Sequence, residues 1–198
     1  MDGKGRFTRA VERFDAANAD DPNHETVDGA DQPKELVYAR RMTATLARFA
    51  PNASEIVRLA ARSQHIRRWS VPRTDYPNGR DGYRRWRTHL YGVHADTAAT
   101  ILRDVGYDEP TVSRVASLLR KERLKVDPEV QLLEDVACLV FLEHYLSDFV
   151  PKHDEQKLTG VLQKTWRKMS AAGHEAALAL DFPSELRAFL ARAVGPVR

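Results

Sequence analysis

Apolar residues recur along most of this chain at spacings of three and four, the repeat of a helix with one face turned inward. The first such run sets Phe7, Ala10, Val11 and Phe14 on one stripe and predicts a short amphipathic helix from Phe7 to about Ala17. Residues 20–33, DDPNHETVDGADQP, carry no such period and read as an exposed loop. Pro33 suits a first helical turn, and Leu36, Met42, Leu46 and Phe49 continue a helix from about 33 to 49 that Pro51 stops. Asn52 followed by Glu55 has the form of an N-cap with its reciprocating acid, so the next helix is expected from there to about Trp69.

The stretch SVPRTDYPNGRDG, with two prolines and two glycines, breaks that helix. A long helix from about Gly82 to Val105 follows, with Trp86, Leu90, His94, Thr97 and Ile101 along one stripe and Gly106 placed to end it. Asp108 with Pro110 starts another, to about Glu122. Asp127 with Pro128 then opens PEVQLLEDVACLVFLEHYLSDFV, which has seven consecutive apolar residues from Val136 to Leu142. A helix apolar on every side has no solvent face, so the segment near 128–149 is predicted to lie at the centre of the domain. Helices at about 154–171, with a stop at Gly173, and about 184–194 after Pro183 complete the set. No stretch reads as a strand. The pattern predicts an all-α fold of about seven to eight helices, with a compact domain at 33–198 and residues 1–32 forming a helix and loop packed on or flanking it.

A chain of 198 residues that is 42% hydrophobic and 30% charged has the composition of a globular protein with a real core. Its net charge of +3 does not by itself imply a nucleic-acid partner. The single cysteine, Cys138, lies in the apolar run VACLVFL, where burial is expected and an intrachain disulfide is excluded. The N-terminus has no apolar stretch of signal-peptide length, and nowhere do about 18 apolar residues run together, so no membrane partner and a cytoplasmic location are expected.

Four features carry candidate chemistry. Glu134 and Asp135 sit inside the most apolar helix, where an unpaired carboxylate costs several kcal/mol, so at least one should meet a cation, a metal or several donors. The window from Arg62 to Arg87 holds eight arginines and no lysine, interleaved with Trp69, Tyr76, Tyr83 and Trp86. Arginine forks and aromatic faces together suit a phosphorylated, base-containing ligand, whereas arginines that pair with acids merely pave solvated helix faces. Arg68, Arg73, Tyr76, Arg84 and Trp86 are the ligand-binding candidates here. His65 and His94 should both point inward, and with an inward carboxylate they have the composition of a two-histidine, one-carboxylate metal site; His89 is a less well placed alternative. In KTWRKMSAAGH, Lys164, Arg167 and Lys168 cluster within two turns, either completing an anion pocket through Lys164 and Lys168 or complementing their own helix dipole. The letters KMS match an ATP-binding signature of class I tRNA synthetases, but no Gly-rich turn, no strand and no companion HIGH motif accompanies them.

Taken together, ARSQHIRRW, PRTDYP, GYRRWR, HAD, GYDEP, LLRKE, QLLEDVACLVFLEHY and KTWRKMSAAGH resemble an uncharacterised family known only as a domain of unknown function, some of whose members carry a glutamyl-tRNA synthetase label. The likeness covers about residues 36–180 and brings no activity with it. More distantly, the order of elements resembles the HD superfamily of helical metal-dependent phosphohydrolases. LAARSQHI stands where that family has its His-Asp pair, with Gln64 in place of the histidine and His65 in place of the aspartate, and Asp135 in LEDVACL matches its late aspartate. The family's early histidine should fall near Tyr38 to Arg41 and is missing.

These readings converge on an HD-like helical domain that binds a phosphorylated small molecule, a nucleotide above all, between helices. In its enzymatic form a divalent metal held by His65, His94 and Asp135 activates water, with Glu134 and Asp135 as the catalytic carboxylates and Arg68, Arg73 and Arg84 neutralising phosphate. The alternative is a non-catalytic module that binds RNA or another acidic partner through the 62–87 window.

Overall fold

The computed structural model describes residues 3–195, and apart from one hairpin its regular structure is helical. The all-α expectation holds. Two compact units divide the chain, 1–123 and 124–198. The sequence places its boundary near 32/33, whereas the first unit takes in the N-terminal helix and the segment after it.

In the first unit, α1 (Gly3–Ala19) is followed by the antiparallel strands β1 (His24–Val27) and β2 (Ala30–Pro33). Helices α2 (Lys34–Phe49), α3 (Glu55–Ser63), α4 (Arg80–Asp104) and α5 (Glu109–Leu119) complete it. Helices α2, α3 and α4 pack on α1, and α5 lies against α3 and α4. Phe14, Met42, Leu59, Ile66, Leu90, Leu102 and Leu118 are fully buried and make the core.

The hairpin corrects the reading of 20–33 as a loop. Asp28 and Gly29 both have positive φ, 51° and 78°, the geometry of a two-residue turn whose twist matches the strands it joins. Val27 pairs with Ala30 and His24 with Pro33. With few apolar residues on either face, the strands have no alternation to betray them.

Capping explains two shifted boundaries. Ser54, not Asn52, caps α3, its hydroxyl accepting from the Val57 N–H. That helix ends at Ser63 and not near Trp69, because residues 64–67 turn and Arg67 adopts a left-handed φ of 51°. The Arg67 N–H is taken by Asn18 Oδ1 at 3.0 Å, which holds the turn against α1. Two short 3-10 turns, Arg68–Ser70 and Arg73–Asp75, lead into α4. Gly106, with φ 88°, ends α4 as expected, and Asp108 caps α5 through the Thr111 N–H.

The second unit contains α6 (Pro128–His144), α7 (Leu146–Phe149), α8 (Glu155–Lys168), α9 (Ala171–Leu178) and α10 (Ser184–Val194). Asp127 caps α6, and none of its residues from Val130 to His144 is exposed, as its all-round apolarity predicts. Helix α6 packs on α8 and α9, while α10 packs on α8. The expected run to 149 is broken at Tyr145, where φ is −123°. Gly173 does not stop a helix: Ser170 caps a separate one, α9, and Gly173 lies inside its first turn.

Candidate functional site

The first unit gathers an unusual amount of polar side chain in its interior. Glu35, at the start of α2, is buried, with its N–H donating to Asp21 Oδ2 at 3.0 Å and its carbonyl accepting from Asn18 Nδ2 at 3.4 Å. Asp21, itself buried, thus caps α2 from a distance along the chain, and the buried Asn18 ties down the same residue. The Glu35 carboxylate meets His65 Nδ1 at 3.3 Å and Arg68 Nε at 3.7 Å. Burial pushes its pKa from the ordinary 4.5 up to about 7, against the pull of Arg68.

His65 is clamped between neighbours. Its ring stacks on Tyr38 at 3.9 Å and 11°, and lies 5.7 Å from the ring of His94. Burial first, and the Arg68 charge second, hold its pKa well below the usual 6.5. His94 is almost fully enclosed and its pKa falls to about 3 for the same first reason. A neutral His94 donates from Nδ1 to the Ile66 carbonyl at 2.8 Å, which leaves Nε2 a buried acceptor without a donor; Gln64 Oε1 is another. Arg68 lies over the Trp86 ring at 4.5 Å, and the Trp86 indole donates to the Val71 carbonyl at 2.8 Å.

The arginine window divides by partner. Arg62 makes a two-pronged contact with Asp15, at 2.7 and 2.5 Å, and Arg87 donates to the Tyr91 hydroxyl at 2.8 Å. Arg73, where an anion was expected, instead donates to the carbonyls of Tyr76 and Pro77 at 2.8 and 2.9 Å, with that of Gly79 at 3.5 Å. Its guanidinium holds the loop before α4. That loop presses so closely on the helix that a Cβ at Gly82 would sit 1.8 Å from the Pro77 oxygen. Among the described residues, Arg80, Arg84 and Arg85 have no ion pair or side-chain hydrogen bond. Arg84 and Arg85 line an open groove of about 700 Å³ with Tyr76, Asp81, Thr88 and His89. Within it the Tyr76 hydroxyl bonds to His89 Nδ1.

In the second unit both central acids of α6, Glu134 and Asp135, have partners. Asp135 accepts from Gln131 Nε2 at 3.0 Å and from the Ser170 N–H at 2.8 Å on Oδ1, and from the Ser170 hydroxyl at 2.6 Å on Oδ2. Glu134 pairs with Lys168 at 3.3 Å. A Cβ at Gly173 would lie 2.7 Å from Asp135 Oδ1, so glycine lets the first turn of α9 close on the carboxylate. The segment KTWRKMSAAGH is a helix-to-helix joint. Gln131 donates to the Lys168 carbonyl at 2.9 Å and Lys125 to that of Met169 at 3.0 Å, while His174 stacks on Trp166 at 4.0 Å. Lys164 is exposed.

The structure thus brings His65, His94, Arg68 and Trp86 together, and separately Tyr76 with Arg84. It adds Glu35, Asn18 and Asp21, and it sets His89, the alternative metal candidate, against Tyr76 in the groove. Glu35 escaped notice because a Lys-Glu pair opening an amphipathic helix looks solvated, and its burial comes from the distant Asp21 and Asn18. Of the expected metal ligands, His65 and His94 belong to the first unit and Asp135 to the second. With the Asp135 oxygens taken by three donors, this donor set does not fit a metal. Among the described residues no three His, Cys, Asp or Glu side chains converge as metal ligands, and no helix is long and apolar enough to cross a membrane.

Fold and polar interior define a helical domain with a half-buried acid-histidine-arginine cluster and an arginine-lined groove. Residues 8–190 match the family described as Domain of unknown function (DUF4202), and the chain belongs to that family. No curated protein and no solved structure matches it.

Proposed function

We propose that the first unit binds a phosphorylated small molecule, a nucleotide above all, in the groove at the start of α4. The observation that carries this reading is the pair Arg84 and Arg85, exposed and without acidic partners among the described residues, in a concavity that also offers the Tyr76, Thr88 and His89 side chains. Four of the window's arginines are engaged, Arg62 on Asp15, Arg68 on Glu35, Arg73 on loop carbonyls and Arg87 on Tyr91, and of the others Arg84 and Arg85 are the two that line the groove. Forked guanidinium groups suit phosphate oxygens, and Tyr76 offers an aromatic face to a base. The order of elements in the sequence, which resembles the HD superfamily, is the further reason for taking phosphate as the recognised group. Metal-dependent hydrolysis stays outside the proposal, because its ligand set does not fit.

Thermal-shift screening of nucleotides and sugar phosphates, with and without Mg²⁺ or Mn²⁺, tests the reading. A ligand at a hundredfold its Kd should stabilise the fold by about 2.7 kcal/mol, and the double variant Arg84→Ala/Arg85→Ala should lose the shift while keeping its own melting point. A shift that survives in the double variant removes the groove from the site. The second reading, RNA binding, is favoured by the exposed Tyr83 next to Arg80, Arg84 and Arg85. It predicts a steep log-log salt dependence, nearly one unit for each phosphate contacted, where a nucleotide gives a shallow one.

A further inference from the structure

The Glu35–His65 pair takes no part in the groove reading, and its geometry is that of a nucleophile with an orienting acid. Six contacts hold it in place. The Glu35 backbone is tied at both polar atoms by Asp21 and Asn18, and its carboxylate meets His65 Nδ1 at 3.3 Å. Tyr38 fixes the plane of the imidazole by stacking on it at 3.9 Å, and Trp86 fixes Arg68 beside the same carboxylate. The other ring nitrogen, Nε2, makes no hydrogen bond and is not enclosed, and the His65 side chain is 25% exposed. A polar pair held so rigidly, with one ring nitrogen left open, exceeds what filling a core requires; an apolar pair of the same volume would avoid the desolvation of Glu35.

We propose that Glu35 and His65 form a metal-independent acyl-transfer dyad, in which His65 Nε2 attacks the carbonyl carbon of a small acyl ester. The nucleophile sets the substrate class: a neutral imidazole nitrogen, acting without a metal, attacks the carbonyl carbon of an uncharged, activated ester. In the first step the Nε2–C bond forms, the C–O bond to the alcohol or phenol breaks, and the leaving oxygen departs with the electron pair. The Nδ1 proton moves toward the Glu35 carboxylate, which leaves a neutral acyl-imidazole. Water then adds at the acyl carbon, the N–C bond breaks, and the free acid and the original imidazole are restored. Arg68 is the fixed cation beside the developing charge.

Para-nitrophenyl acetate is the probe, used with the full chain at one neutral pH, with nitrophenolate release followed and the acetyl group located by peptide mass spectrometry. We expect acetylation of His65 at least about tenfold faster than that of N-acetylhistidine. Glu35→Gln should reduce the rate to that of the free amino acid in a protein that melts no lower than wild type, His65→Gln should abolish the adduct, and para-nitrophenyl phosphate should not be consumed. Wild-type His65 reacting no faster than N-acetylhistidine overturns the dyad outright, whether or not a variant folds, and so does a Glu35→Gln protein that keeps the wild-type rate. Neither outcome bears on Arg84 and Arg85, so the groove reading stands or falls separately.

Discussion

Glu35 and His94 place opposite titrations inside one small volume. Because the Glu35 pKa rises from 4.5 in the unfolded chain to about 7, its ionisation disfavours the fold. The stability linked to it is whole below pH 4.5 and is lost as pH rises through 7, a change of about 3 kcal/mol. His94 runs the other way. With its pKa falling from 6.5 to about 3, the unfolded chain takes up the proton first, and stability is lost as pH falls below 6.5. Between about 4.5 and 6.5 the two slopes oppose one another. Glu35→Gln should therefore make the urea midpoint rise from pH 5 to pH 8 relative to wild type, by an amount worth roughly 2–3 kcal/mol. Parallel profiles for the two proteins would show that Glu35 ionises in the fold as freely as in water.

At the scale of elements, the contact between α6 and α9 is the one most sensitive to a single atom. Gly173→Ala places a methyl group 2.7 Å from the Asp135 carboxylate, and neither partner can withdraw without losing hydrogen bonds to Ser170. We expect a loss of about 1–3 kcal/mol, measured by chemical denaturation. Asp135→Ala should cost about the same, since it strands the Ser170 N–H in a part-buried setting. Full stability in either variant would mean that the acid does not hold the joint.

The same elements show what was legible in advance. The helices were readable because their apolar faces repeat, and the need of Glu134 and Asp135 for partners followed from desolvation alone. What escaped was whatever depends on residues far apart in the chain. The ending of α3 at Ser63 depends on Asn18 taking the Arg67 N–H, and the burial of Glu35 on Asp21. Gly173 resembled a stop because sequence cannot distinguish a glycine that ends a helix from one that admits a neighbour. For the hairpin a signal did exist, Asp28-Gly29, but polar strands gave it no context.

Across the whole molecule, two units carry different kinds of polarity. In the second unit the acids of α6 are spent on structure, with Ser170, Gln131 and Lys168 as partners. In the first, unpaired arginines face the groove and a buried acid-histidine pair lies in the interior, so ligand effects are expected to map there. Hydrogen exchange with a stabilising nucleotide should slow amides in 76–89 and leave those of α8 to α10 unchanged, and protection confined to the second unit would contradict this placement.

The approach of Pro77 to Gly82 has a consequence for variation along α4. With 1.8 Å between that oxygen and any added carbon, every side chain, alanine included, would force the loop off the helix. In saturation mutagenesis read out by cellular abundance, position 82 should tolerate no replacement, while its neighbours Arg80, Arg84 and Arg85, one turn or less away and open to water, should accept almost any residue. A helix whose first turn is that lopsided in its tolerance keeps its arginines for something other than standing up.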